Sequence, residues 1–194
     1  MQKIKKLRTF ALVGIILVVF FIVPLFARKW TRNFANENSS VIPTDEWKQF
    51  LCTAGRFSIW FPGNPELTNV TTSVSGGDIS MHCFFVWNRQ TEYAVNFSED
   101  PINLKKFKPE QTFDICQAGV AKELGKIVYQ KDMTIEGYPA RDFEYNVVGK
   151  VNYSGRTRLI LVNDHLYQLV FIFLPVNPRP TDRDTFFDSF RLQN

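Results

Sequence analysis

Residues 9–27, TFALVGIILVVFFIVPLFA, carry no charged side chain. Wound as a helix, the run rises about 28 Å, close to the hydrocarbon thickness of a bilayer. Lys3, Lys5, Lys6 and Arg8 precede it, and Arg28, Lys29 and Arg32 follow it. Such a chain is tied to a membrane or passed across one. The run exceeds the apolar region of a secretory signal peptide, about 7–15 residues, and bulky Leu25 spoils a small-residue cleavage site after Ala27. Residues 1–32 therefore read as an uncleaved signal-anchor, a single transmembrane helix; a cleaved signal is the alternative. Pro24 near a helix end is tolerated in lipid, and Trp30 suits the membrane interface. The larger basic charge on the N-terminal side places that end in the cytoplasm. The expected location is the cell (inner) membrane, single-pass, with the C-terminal part periplasmic or otherwise extracytoplasmic.

The formal net charge of +4 hides an uneven distribution. Residues 1–32 hold seven of the 23 Lys and Arg and none of the 19 Asp and Glu, which leaves 16 cations against 19 anions in the rest. A mildly acidic exported part has no clustered basic surface for nucleic acid; Lys105, Lys106 and Lys108 read as a solvated loop. Residues 33–45, NFANENSSVIPTD, are polar and aperiodic and read as a linker. Residues 46–194 have the length of one domain, with 19 Phe and four Trp in the chain to build a core.

Three cysteines, Cys52, Cys83 and Cys116, leave at least one thiol unpaired within the chain. Their spacing fits no C-x-x-C zinc pattern. They read as small buried apolar residues; a Cys52–Cys83 bridge is the alternative.

Alternation and turn residues predict strands over residues 47–53, 56–61, 67–73, 79–87, 91–98, 127–135, 138–148, 151–162 and 165–174. Glu136-Gly137 and Asn163-Asp164 are hairpin signals. Residues 113–124 read as a helix, with Phe113, Cys116, Val120 and Leu124 on one face, Asp114 in the first turn and Gly125 after the end. Residues 181–190 read as a second helix, with Thr181 as N-cap and Asp184 completing a capping box. Two strands are apolar on both faces. Tyr167, Leu169, Phe171 and Phe173 oppose Leu166, Val170, Ile172 and Leu174 in one; Met81, Cys83, Phe85 and Trp87 oppose Phe84 and Val86 in the other. Such strands are central and covered on both sides. The expected class is α+β, an antiparallel sheet with helices packed on both faces.

Several stretches resemble a known family. They are Gly55-Arg56-Phe57-Ser58-Ile59-Trp60-Phe61-Pro62-Gly63-Asn64-Pro65, then Tyr93-Ala94-Val95-Asn96-Phe97-Ser98-Glu99-Asp100-Pro101, then Gly137-Tyr138-Pro139-Ala140-Arg141-Asp142-Phe143. A final hairpin and helix run from Arg158 through Tyr167 to Phe187-Asp188-Ser189-Phe190. Together they resemble the PsbP-like superfamily, which includes the extrinsic subunit of photosystem II and related small exported bacterial domains. The similarity extends over residues 47–192. It implies an αβα sandwich that acts by binding partners; no metal-ligand motif carries over.

Candidate chemistry is sparse. His82 sits in an apolar strand and reads as a satisfied histidine. His165 follows a turn and reads as exposed. Neither has a sequence partner that would make a triad. Asp142 and Glu144 share a strand face and could hold Ca²⁺ or Mn²⁺; the competing reading is a solvated face paired with Arg156 or Arg158 on the next strand. The sequons at Asn38, Asn69, Asn96 and Asn152 matter only in a glycosylating lumen. No catalytic, cofactor or metal residue is assigned. The expected function is a membrane-anchored, non-catalytic interaction or assembly module with a protein partner, its contacts in loops 100–108 and 148–154. A small-molecule or metal-binding sensor is the alternative, and a hydrolase using His82 or His165 the third.

Overall fold

Glu136 and Gly137 both adopt positive φ, 50° and 86°, as a two-residue turn between right-twisted strands requires. The turn joins β6 (Lys126–Ile135) to β7 (Tyr138–Val147) and sets their register, with Asp132 opposite Arg141. Four further strands extend this hairpin. β8 (Tyr153–Val162) pairs with β7, β9 (His165–Phe173) with β8, β5 (Thr91–Glu99) with β9, and β4 (Gly77–Asn88) with β5. β3 (Glu66–Val74) closes the far edge. All pairs are antiparallel, in the order β3-β4-β5-β9-β8-β7-β6. The computed structural model describes residues 46–74, 77–88, 91–99, 107–147, 152–163, 165–175 and 180–193. The anchor expected over residues 1–32 and the linker over 33–45 lie outside the described residues. Among the described residues no helix is long and apolar enough to cross a membrane.

One face of the large sheet is covered twice. β1 (Lys48–Cys52), β2 (Phe57–Phe61) and the two-residue β10 (Arg191–Leu192) form a separate three-stranded sheet. Its inward Phe57, Ile59 and Phe61 join Tyr93, Val95 and Phe97 of β5 and Tyr167, Leu169 and Phe171 of β9 in the main core. Phe186, Phe187 and Phe190, from and just after the second helix, α2 (Pro180–Asp188), complete it. Phe57 is its hub: its ring meets Phe50, Phe84, Phe97, Tyr167 and Phe190 at 5.6–6.3 Å between centroids. The contacts with Phe84, Phe97 and Tyr167 are edge-to-face and that with Phe190 is stacked; such pairs add to the stabilisation from burial. On the other face the first helix, α1 (Pro109–Glu123), sets Phe113, Cys116 and Val120, with Leu124 after its end, against Phe143, Tyr145, Leu159 and Leu161.

The structure is thus a mostly antiparallel β domain with a helix on each face, and four features depart from the sequence reading. The strands at 47–53 and 56–61 leave the main sheet and share one face with α2. β10 is too short to show any alternation. α1 begins four residues before Phe113, because Pro109 is preorganised for a first turn and the Gln111 side chain accepts the Lys108 N–H at 3.1 Å; that turn is polar, so apolar spacing missed it, and Glu110 rather than Asp114 is its acid. α2 likewise starts at Pro180, which puts Thr181 inside the helix rather than at its N-cap.

Gly155 shows how tightly the α1 face is filled. A Cβ there would lie 2.3 Å from Tyr145 Cζ and 2.5 Å from its Oη, and Tyr145 lies directly opposite on β7. The Tyr145 ring therefore crosses the space that a side chain would occupy. We predict that Gly155→Ala costs about 1–3 kcal/mol in urea unfolding, and that the cost shrinks in a Tyr145→Leu background. Equal costs in both backgrounds would mean that the ring does not impose the glycine.

Candidate functional site

Arg141 and Asp142 are consecutive on β7, so their side chains emerge on opposite faces of the sheet. Each is only 3% exposed. Charges this buried require partners, and each residue finds them in the layer that covers its own face.

On the α1 side, Arg141 grips Asp132 of β6 with two parallel bonds, Nε to Oδ1 at 2.5 Å and Nη2 to Oδ2 at 3.1 Å. Its Nη1 donates to Asp114 Oδ1 at 2.5 Å and to Gln117 Oε1 at 3.3 Å, both on α1. Gln117 in turn donates to Gln130 of β6 at 2.7 Å. The guanidinium lies 5.6 Å from the centre of the Phe113 ring. The hydrogen bond from Arg141, with its charge, holds the Asp132 carboxyl below the usual carboxylate range despite some burial.

On the α2 side, Asp142 accepts from Arg158, directly opposite on β8, at 2.7 Å (Nε to Oδ1) and 3.0 Å (Nη2 to Oδ2). Arg156 donates to the same carboxylate. Arg158 Nη1 also donates to the Phe187 carbonyl at 3.0 Å, at the helix end where a cation is favoured. Both guanidiniums lie over the Phe187 ring, at 4.8 Å for Arg156 and 5.1 Å for Arg158. Looser pairs extend the seam: Arg156 with Asp184, Arg158 with Asp188, and Arg183 with Glu144, at 3.8–3.9 Å. Burial pushes the Asp142 carboxyl up, but the hydrogen bonds from Arg158 and Arg156, with their charges, outweigh it and hold the group below its ordinary value.

The sequence reading named the right partners for Asp142 and the wrong environment. The face is not solvated: α2 covers it, and Asp142 is buried. Its two oxygens accept three guanidinium hydrogen bonds, and the Arg156 and Arg158 charges already neutralise the carboxylate and oppose a cation beside it. Among the described residues no group of three or more His, Cys, Asp or Glu side chains could hold a metal.

The other candidates are scattered. His82, half-buried on β4, places Nδ1 2.8 Å from Asn69 Oδ1 and stacks on Phe97 at 4.8 Å. His165 is the half-buried first residue of β9, opposite Val162, where exposure was expected. The three cysteines are buried thiols, and the Cys52–Cys83 bridge is not formed. Cys52 belongs to the core beneath the small sheet, whereas Cys83 shares the side-chain alternation of Phe85, which packs on the other face. The sheet stands between the two thiols. Burial, with a smaller effect of the nearby Glu92 carboxylate, pushes the Cys83 thiol up to about 12. Burial also takes Cys116 to about 12, against a smaller opposing pull from Arg141. Such thiols are poor nucleophiles at neutral pH. Asn96 is buried, so its sequon is closed to modification in the folded chain. Loop residues 100–106 and 148–151 lie outside the described residues.

Sequence reasoning missed Arg141 as a helix anchor and Glu92 as a buried acid, 1% exposed on β5. Arg141 was visible only as a motif residue. Glu92 gave one signal, a charge inside the otherwise uncharged run from Thr91 to Ser98.

The sequence matches no family model and no curated protein. The chain does share a fold with solved structures. The solution structure of cyanobacterial PsbP (CyanoP) from Synechocystis sp. PCC 6803 superposes with a TM-score of 0.52 at 13% identity, over 80% of this chain and 96% of that one. A protein of unknown function from Pseudomonas aeruginosa, PA94, described as a putative regulator, covers 59% of this chain and 85% of its own at 16% identity. Its TM-score of 0.38 is too low to bear on the fold. The fold is PsbP-like.

A carboxyl whose folded pKa lies below its unfolded value of about 3.9 stabilises the fold above that value; the contribution is lost as pH falls through the folded value. Asp142 is such a group. We predict that Asp142→Asn lowers stability at pH 7 by about 3–5 kcal/mol, the cost of leaving buried guanidiniums unpaired. The gap to the wild type should close below about pH 4 in urea titrations. A gap independent of pH would show that the carboxylate charge does not hold the seam.

Proposed function

We propose that the chain is a membrane-anchored, non-catalytic interaction module whose domain lies outside the cytoplasm and binds a protein partner. The observation that carries this reading is the edge strand β6. A bulge between Ile127 and Tyr129 breaks its alternation, so Val128 and Tyr129, adjacent in sequence, are 52% and 47% exposed. Bulges on edge strands re-aim side chains in this way. Lys126 and Lys131 flank the pair, and a bulged, charged edge resists indiscriminate strand addition. What remains is an aromatic and a branched apolar side chain on a rigid support, the composition of an interface anchor. The best-placed ionic groups, Arg141, Asp142 and Arg158, are taken up in binding the helices to the sheet, whereas Val128 and Tyr129 of β6 face outward. The PsbP-like fold supports the reading, since the resemblance to that superfamily implies a domain that acts by binding partners. The apolar residues 9–27 supply the anchor in this proposal.

Two measurements test it together. A reporter fused after Asn194 is expected to be active only outside the cytoplasm, with detergent needed for extraction. Cross-linking from position 129 in native membranes is expected to yield a discrete partner adduct. Val128→Asp with Tyr129→Ala should abolish capture of that partner by the full-length chain without shifting thermal unfolding. A reporter active in the cytoplasm, or capture unchanged in the doubly substituted chain, would contradict the proposal.

A further inference from the structure

A second exposed apolar pair lies on the small sheet. In β1 and β2 the inward positions are Phe50, Cys52, Phe57, Ile59 and Phe61, so Gln49, Leu51 and Trp60 face outward, with Ser58 on the same side but buried beside Gln193. The register sets Gln49 opposite Trp60 and Leu51 opposite Ser58, which makes Leu51 and Trp60 diagonal neighbours on one face. Leu51 is 61% exposed and Trp60 42%. Arg191 of β10, opposite Ser58, adds a cation to the same face. It donates to the Asp188 and Phe190 carbonyls at 2.7 and 2.6 Å and stays exposed. None of these outward positions is a carboxylate.

The face is also firmly built. The Trp60 backbone N–H donates to Ser189 Oγ at 3.0 Å, and Gln193 Nε2 donates to Ser58 Oγ at 3.0 Å. The Leu192 N–H donates to Glu136 Oε2 at 3.2 Å, which ties β10 to the turn between β6 and β7. An exposed tryptophan held on a rigid sheet, beside a leucine and an arginine, has the chemistry of a lipid-water interface: an amphipathic ring at headgroup depth, an apolar neighbour and a cation for anionic headgroups.

The tether selects this occupant over a soluble protein. In sequence, only residues 33–47 separate the basic flank of the apolar run from β1, which starts at Lys48. A stretch of that length reaches at most about 50 Å when fully extended. The start of β1 is therefore held close to whatever bilayer contains residues 9–27, and the face bearing Leu51 and Trp60 is built on that strand. We propose that the outer face of the β1-β2-β10 sheet lies against the interface of the membrane to which the chain is tethered, with Trp60 and Leu51 as its lipid contacts. This rests on the anchor reading above. It also turns the small sheet toward the membrane and leaves the β6 edge for the partner.

The test uses the full-length chain reconstituted into vesicles of phosphatidylcholine and phosphatidylglycerol at about 3:1, with and without dibrominated lipid, which quenches tryptophans in contact with the bilayer. Trp30 reports the anchor and Trp60 the face. The chain is expected to float with the vesicles. Trp30→Phe and Trp60→Phe should each remove a distinct part of the quenching. Leu51→Asp should diminish the Trp60 part while flotation and thermal unfolding stay unchanged. If the chain floats and Trp30→Phe reduces quenching while Trp60→Phe does not, the face is not on the membrane and this inference is overturned with the anchor intact. If the chain does not float, the anchor reading fails and takes this inference with it. Concentration-dependent shielding of Trp60 from acrylamide in detergent would assign the face to a second copy and would equally overturn the proposal.

Discussion

Two oppositely charged side chains, adjacent in sequence and buried on opposite faces of one strand, fix how this domain is layered. Arg141 reaches α1 through Asp114 and Gln117. Asp142 holds Arg158, which reaches α2 through the Phe187 carbonyl. Neither charge tolerates burial alone, so each layer must be in place for β7 to be satisfied. The hairpin turn at Glu136-Gly137 controls this arrangement, because it sets Asp132 opposite Arg141. A slip of one residue would exchange the faces and set each charge against the wrong helix.

Buried ion pairs contribute little net stability, since desolvation offsets most of their attraction. Stability here comes from the aromatic core around Phe57 and from the contacts of Phe113, Val120 and Phe143 beneath α1. The arginine clusters act on specificity instead. An apolar α1 could slide along an apolar sheet at small cost; one whose Asp114 and Gln117 must meet Arg141 cannot. The same logic explains where the charged residues of β7 and β8 make their bonds, inside the fold. The β6 bulge and the outer face of the small sheet, by contrast, offer apolar contact.

Much of this was legible in the sequence. Strands apolar on both faces, such as β9 with Phe171 and Val170, announced a covered central sheet, and the 3.6-residue spacing of Phe113, Cys116 and Val120 announced α1. The partition of β1 and β2 into their own sheet was not legible, because alternation reports which side chains point inward and not which sheet a strand joins. The polar first turn of α1 and the two residues of β10 gave no periodic signal. The environment of Asp142 was misread for a related reason. Charge complementarity with Arg158 identifies a partner on the next strand, but only the placement of Phe186 and Phe187 shows that a helix seals the pair from water. The bulge at Val128 was equally hidden, since one extra residue in a strand looks the same as a strand.

Amide hydrogen exchange on Arg141→Met and Asp142→Asn, read segment by segment, tests the layering most directly. Local opening is reported by the element that loses its anchor. The account predicts that Arg141→Met accelerates exchange in α1 while α2 keeps its protection, and that Asp142→Asn accelerates exchange in α2 while α1 keeps its own. Both helices losing protection together in either variant, or neither helix responding, would contradict the claim that this adjacent pair fastens one layer to each face.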